Sequence, residues 1–267
     1  MANNVCIRQQ ASGRWQHEHL PYLITRLKTL RLSGLLESLD VRLEQARSAN
    51  LGYLEFLELI IQDEIERRDA NSLNQRLKRA SFEEPKSLEE FQFASLPGIN
   101  VAAIKDLATG LFIVKKEHVI LYGPPGVGKT HLAQALGNQA CRLGKSTLFM
   151  KGTKLFRTLN TARADGTWDK TMRKLLTPDL LIIDDFGLSA MTMHQAEEFY
   201  EIIAERHQRG SMVITSNRPP GDWLALFPDQ VMANSAMDRL AHRAHHIAMK
   251  GESYRKKTRP KNQPAES

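Results

Sequence analysis

The stretch Val119 to Ala133, VILYGPPGVGKTHLA, constrains this chain more than any other. Val119-Ile120-Leu121-Tyr122 reads as a buried strand, and a helical pattern starts at Lys129. Between them lies a loop that satisfies G-x-x-x-x-G-K-[ST] at Gly123, Gly128, Lys129 and Thr130. A phosphate chain needs several backbone N–H groups aimed into one hollow, and glycines let the backbone curl closely enough to supply them. The helix that follows adds the partial positive charge of its N-terminus. Gly123, Pro124, Pro125, Gly126, Val127, Gly128, Lys129, Thr130 and His131 are therefore the expected nucleotide-binding residues. Lys129 would reach the β- and γ-phosphates, and the Thr130 hydroxyl would ligate Mg²⁺. ATP and Mg²⁺ are the cofactors this predicts.

A second stretch completes the chemistry. Leu180-Leu181-Ile182-Ile183 reads as a strand buried on both faces, and Asp184 and Asp185 follow at its C-terminal end. Open α/β sheets bind ligands at that end of their strands. Asp184 is the expected metal-side carboxylate, and Asp185 the residue that orients or deprotonates an attacking water. The strand Met212 to Thr215 ends in Ser216-Asn217, where the Asn217 amide can donate and accept hydrogen bonds to a water at once. Arg239, in SAMDRLAHR, has two open roles: charge stabilisation in phosphoryl transfer, often across a subunit boundary, or a surface pair with Asp238. His242, His245 and His246 have a spacing that can hold a metal, but no nearby Cys or carboxylate completes a site.

Around these motifs, strands alternate with helices. Strands are expected at 119–122, 146–150, 180–184, 211–215 and 246–249, and helices at 101–114, 129–143, 153–162, 169–176, 196–208 and 237–244. This alternation predicts an α/β fold: a five-stranded parallel sheet covered by helices on both faces. Ahead of it, leucines recur at helical spacing from Leu20 to Leu43, with Gly34 bending or ending a first helix. Ser48 to Gly52 reads as a break. A second helix follows to about Ala80, with Leu54, Leu57, Ile61 and Ile65 along one face. The expected organisation is a flexible tail over 1–19, a small all-helical domain over 20–84, the nucleotide-binding domain over 85–250 from the boundary at Pro85, and a basic polar tail over 251–267.

Charge points to a polyanionic partner besides ATP, since the net charge is +7. Basic residues concentrate between the second and third strands: Lys151, Lys154, Arg157, Arg163, Lys170, Arg173 and Lys174, with Trp168 among them. Such a surface suits a nucleic-acid backbone. No apolar run approaches the roughly 18 residues of a membrane span, and the N-terminus lacks the apolar core of a secretory signal. With Cys6 and Cys141 far apart, no disulfide is expected. A cytoplasmic protein without a membrane role is the consequence.

The stretches GPPGVGKTHLAQALG, LLIIDDFG, VITSNRPPGDW and SAMDRLAHRAHHIAMKGESYR, with the N-terminal block ending in LKRASFEEPKSLEEFQF, resemble the IstB-like AAA+ ATPases. These are helper proteins of bacterial insertion sequences, related to the helicase loader DnaC and the initiator DnaA. The resemblance runs from about Leu20 to Lys257. It implies an AAA+ P-loop core, a sensor I role for Asn217 and an arginine-finger role for Arg239. It also implies a homo-oligomer that assembles on double-stranded DNA with ATP, delivers target DNA and stimulates a partner transposase. A DnaC-like helicase loader and an ATP-gated DNA-binding module with little hydrolysis are the alternatives. Asp185 stands where related ATPases usually carry Glu. The chain ends soon after Tyr254-Arg255, so a reduced or absent C-terminal lid is expected, with Arg243 and Arg255 as candidates for a sensor II arginine.

Overall fold

The computed structural model describes residues 20–84, 86–93, 96, 98–251 and 253. The tails at 1–19 and beyond 253, the boundary at Pro85, the turn residue Pro97, Cys6, Tyr254 and Arg255 lie outside the described residues. The chain divides into two compact units between Asn74 and Gln75.

The first unit is helical: α1 (20–29), α2 (Ser33–Ser48) and the greater part of α3 (Tyr53–Ala80). Its core is Leu27, Leu39 and Ile60, with Leu35, Leu36 and Phe56 packed against it. Gly34 does not bend a long helix. It sits in the first turn of α2, where a Cβ would come within 2.9 Å of the backbone at Asp63 and Glu64. That close approach lets the Glu64 carboxylate accept from the Gly34 and Leu35 N–H groups at 2.7 and 3.3 Å, satisfying donors the helix start leaves open. Arg42 donates twice to Asp63, at 2.8 and 2.7 Å, and holds its carboxyl down at a pKa of about 2. These links turn Phe56, Ile60, Asp63 and Glu64 toward α2. The row Leu54, Leu57, Ile61 and Ile65 consequently lies exposed.

The second unit carries α4 (Val101–Ala108), α5 (Leu111–Val114), β1 (His118–Tyr122), α6 (Lys129–Arg142), β2 (Thr147–Lys151), α7 (Gly152–Ala164), α8 (Trp168–Leu176), β3 (Leu180–Phe186), α9 (Met193–Arg206), β4 (Ser211–Ser216), α10 (Gln230–Ala241) and β5 (Ala244–Ala248). A 3₁₀ segment over Pro220–Leu226 joins β4 to α10. The expected single helix over 101–114 is divided at Gly110, which adopts a left-handed φ of 75°. All strand pairings are parallel, in the order β2-β3-β4-β1-β5. Strand periodicity sorts the core: Ile120, Leu181, Ile183, Met212 and Ile214 join one cluster, and Val119, Leu121, Leu180, Ile182 and Val213 the other. The sheet is thus buried on both faces, as a parallel sheet requires.

At the edge where the strands begin, Arg206 is 1% exposed and donates to the carbonyls of Leu175, Leu176, Pro178, Asp179 and Ser211. It ties the end of α8 to the starts of β3 and β4. His118, 1% exposed, accepts from the Met212 N–H through Nδ1 at 3.1 Å. Burial, with the neighbouring positive charge of Arg206, lowers its pKa to about 4.

Candidate functional site

At the opposite edge, where the strands end, β1 runs into the loop Gly123–Gly128. Gly123, Gly126 and Gly128 have φ values of 148°, 83° and 95°, which disfavour a side chain. Space adds its own constraint. A Cβ on Gly123 would strike the Met249 carbonyl, and one on Gly126 the Ser253 hydroxyl. The Met249 N–H bonds the Tyr122 carbonyl at 2.8 Å, so the segment after β5 lies against the loop. Gly128 caps α6, and Lys129 opens it.

Lys129 is 5% exposed. Its ammonium donates to the Gly123 and Pro124 carbonyls and to Asn217 Oδ1, each at 2.8 Å. Thr130 Oγ1 donates toward both oxygens of Asp184 at 3.0 Å. Asp184 is fully buried, and burial raises its pKa, helped by the charges of Asp185 and Glu83; the hydroxyls of Thr215 and Thr130 oppose the rise. A buried carboxylate beside a hydroxyl is a hard, all-oxygen donor set, and Mg²⁺ fits it. Among the described residues no group of three or more His, Cys, Asp or Glu is placed to hold a metal. His245 instead meets Glu117, with Nε2 and Oε2 2.9 Å apart.

Asp185 has a φ of 53°, unusual for a residue other than glycine. The β3–β4 register is regular as far as Ile183 opposite Ile214 and resumes at Phe186 opposite Ser216. Asp184 and Asp185 therefore face Thr215 alone, and the strand bulges there. The bulge aims Asp185 into a cavity of about 780 Å³ that Pro125 to Thr130, Phe91 and Asn217 also line. That volume falls in the range of small-molecule sites, roughly 300–1,000 Å³. His131 joins it from α6, its ring edge-on to Phe91 at 5.3 Å.

Sequence reasoning did not single out Thr215, Glu83 or Phe91. Glu83 pairs with Lys151 at 2.7 Å, and Lys151 ends β2 directly opposite Asp184. Lys151 thus stands beside the carboxylates. The other basic candidates, Lys154, Arg157, Arg163, Lys170, Arg173 and Lys174, are exposed on α7 and α8. Arg163 pairs with the buried Glu198 at 2.7 Å and covers the Trp168 ring at 4.3 Å. Lys170, Arg173 and Lys174 line an open trough of about 590 Å³ with Thr158, Thr167 and Thr171.

Arg239 is not brought to the loop of its own chain. It lies in the last turn of α10, just before β5 begins opposite His118. The length of a five-residue strand, about 13 Å, separates that edge from the phosphate loop. Its guanidinium lies 5.2 Å from the centre of the Tyr200 ring, and no pair with Asp238 forms. Arg243 sits at the same edge, donating to the Lys115 carbonyl at 3.3 Å.

The family described as "IstB-like ATP binding protein" matches residues 25–262. A Mycobacterium tuberculosis protein named for ATP binding in an insertion sequence is 43% identical over 90% of this chain and 96% of its own length. A Pseudomonas aeruginosa protein named likewise for the insertion sequence IS21 is 40% identical, over 92% of this chain and 91% of its own. Among solved structures, that of DnaI superimposes with a TM-score of 0.55 at 24% identity, covering 62% of this chain and 91% of that one. At that identity the likeness speaks to the fold alone, the parallel sheet with helices on both faces.

Proposed function

This chain belongs to the IstB-like ATP-binding family, and from that premise we propose that it hydrolyses ATP and serves as a DNA-binding helper of insertion-sequence transposition. The relatives are named for insertion sequences, and the excess of positive charge on α7 and α8 suits a DNA backbone. The observation that carries the hydrolytic part is the contact of Thr130 with Asp184 at 3.0 Å, next to Lys129 and Asn217.

In this reading the triphosphate lies along the N–H groups of Gly123 to Thr130. Lys129 exchanges its carbonyl partners for phosphate oxygens. Thr130 and Asp184 would hold Mg²⁺, which when bound would supply positive charge against the phosphate charge. Asn217 and Asp185 orient a water on the γ-phosphorus. The water oxygen forms the new P–O bond, the bond to the β-phosphate oxygen breaks, and the water proton passes toward Asp185. Arg239 serves the γ-phosphate of an adjacent subunit, so ATP favours a homo-oligomer through its higher affinity for the assembled state. That assembly holds double-stranded DNA on α7 and α8, delivers it as target and stimulates a transposase.

Purified protein with duplex DNA and Mg²⁺-ATP should release phosphate, and should co-purify with a transposase. No release at any protein concentration would leave an ATP-gated DNA-binding module. Capture of a replicative helicase in place of a transposase would make it a helicase loader.

A further inference from the structure

We propose that Thr215 is a positioning residue for the reaction proposed above: its hydroxyl sets the directions of Asp184 and Asp185 together. The inference rests on that reading of the site and adds a residue to it.

Consecutive residues of a regular strand point to opposite faces. Two adjacent carboxylates cannot both serve one site unless the strand is irregular between them. Here it is, since Thr215 is the sole residue of β4 between the pairs Ile183–Ile214 and Phe186–Ser216. A bulge of this kind leaves a backbone group without its ladder partner. The Asp185 N–H is that group, and it donates to Thr215 Oγ1 at 2.9 Å. The hydroxyl has one proton to give, and gives it to Asp184 Oδ1 at 2.6 Å. Thr215 is fully buried, so no solvent competes for either bond.

One atom therefore does two things. As acceptor it holds Asp185 at its left-handed φ of 53°, a conformation that persists only where surroundings enforce it. As donor it orients the same carboxylate that faces Thr130. Ser216 closes the bulge on its far side by donating through Oγ to the Phe186 carbonyl at 2.8 Å. Asp184 then faces Thr130, and Asp185 faces the cavity shared with Asn217. A partner that orients a metal-binding group contributes to affinity and rate without touching the ion.

Thr215→Val keeps the shape and removes the hydroxyl; Thr215→Ser keeps the hydroxyl. Affinity of the full chain for a fluorescent ATP analogue is measured in Mg²⁺ and in EDTA, alongside turnover and thermal midpoint. For Thr215→Val, affinity in EDTA should stay within about twofold of the parent, while the gain from Mg²⁺ and the turnover each fall at least about tenfold, as for other lost partners of metal ligands. Thr215→Ser should recover both. If Thr215→Val does not fold, Thr215→Cys, a weak donor of similar size, should show the same loss. An undiminished Mg²⁺ gain in either hydroxyl-free variant would overturn the proposal, as would a folded Thr215→Ser that recovers neither quantity. A parent chain whose ATP affinity ignores Mg²⁺ would overturn the nucleotide reading itself, and the proposal with it.

Discussion

The Lys129 ammonium and the Asn217 side-chain oxygen are 2.8 Å apart, although 88 residues separate them in the chain. The contact joins the start of α6 to the end of β4 and puts the loop lysine beside the residue proposed to hold water.

Replacing Lys129 with Ala removes the positive charge proposed to meet the phosphates. ATP affinity should fall at least about tenfold, or about 1.4 kcal/mol. Titration of a fluorescent ATP analogue measures it, and parental affinity would contradict the role given to Lys129.

Asn217→Ala leaves the loop backbone unchanged and Lys129 with its Gly123 and Pro124 carbonyl partners. ATP affinity should stay within about threefold, while turnover falls about a hundredfold, the scale of a lost polar group at a reacting centre. Single-turnover phosphate release separates these effects. Equal losses in binding and turnover would make Asn217 a binding residue.

His118 links protonation to stability. Its pKa is lowered to about 4 in the folded protein, from an ordinary value of 6.5. As pH falls from about 6.5 toward 4, the unfolded chain therefore takes up the proton first. The stabilisation is complete above 6.5 and is lost downward through that window, up to about 3 kcal/mol. Denaturant midpoints across pH 4 to 7 should show the slope, and His118→Asn, whose Oδ1 can accept from the Met212 N–H, should flatten it.

Neutralising Lys170, Arg173 and Lys174 to Gln should weaken duplex binding and reduce the slope of log affinity against log salt by about 2 to 3. An unchanged slope would move the DNA contact to another surface.

Much of the site is legible in the chain because phosphate binding is local chemistry. Gly123 to Thr130 needs a fixed spacing, and a strand before it and a helix after it can be read from periodicity. Asp184 and Asp185 announce themselves by following four apolar residues. What periodicity cannot show is register. The bulge opposite Thr215 exists only in the pairing of β3 with β4, so the residue that orders both acids looks like an ordinary strand end. The first half of α10 was hidden for another reason: its buried face is built from Ala233 and Ala236, whose apolar signal is weak. In α3 the strongest leucine and isoleucine row proved to be the exposed one, because Arg42–Asp63 and Glu64 at the start of α2 rotate the helix. The role of Arg239 could come only from resemblance, since its partner in the reaction would be another copy of the chain.

That shared site is the centre of the account, and a mixing experiment tests it most directly. Arg239→Ala and Asp185→Ala chains should each bind ATP but turn it over poorly, at least about tenfold below the parent. Mixed in equal amounts with DNA, they should regain activity at about one site in four, where the intact Asp185 of one chain meets the intact Arg239 of the next in a head-to-tail assembly. Activity in the mixture no greater than the sum of the separate variants, with assembly preserved, would contradict a site completed by the neighbouring subunit.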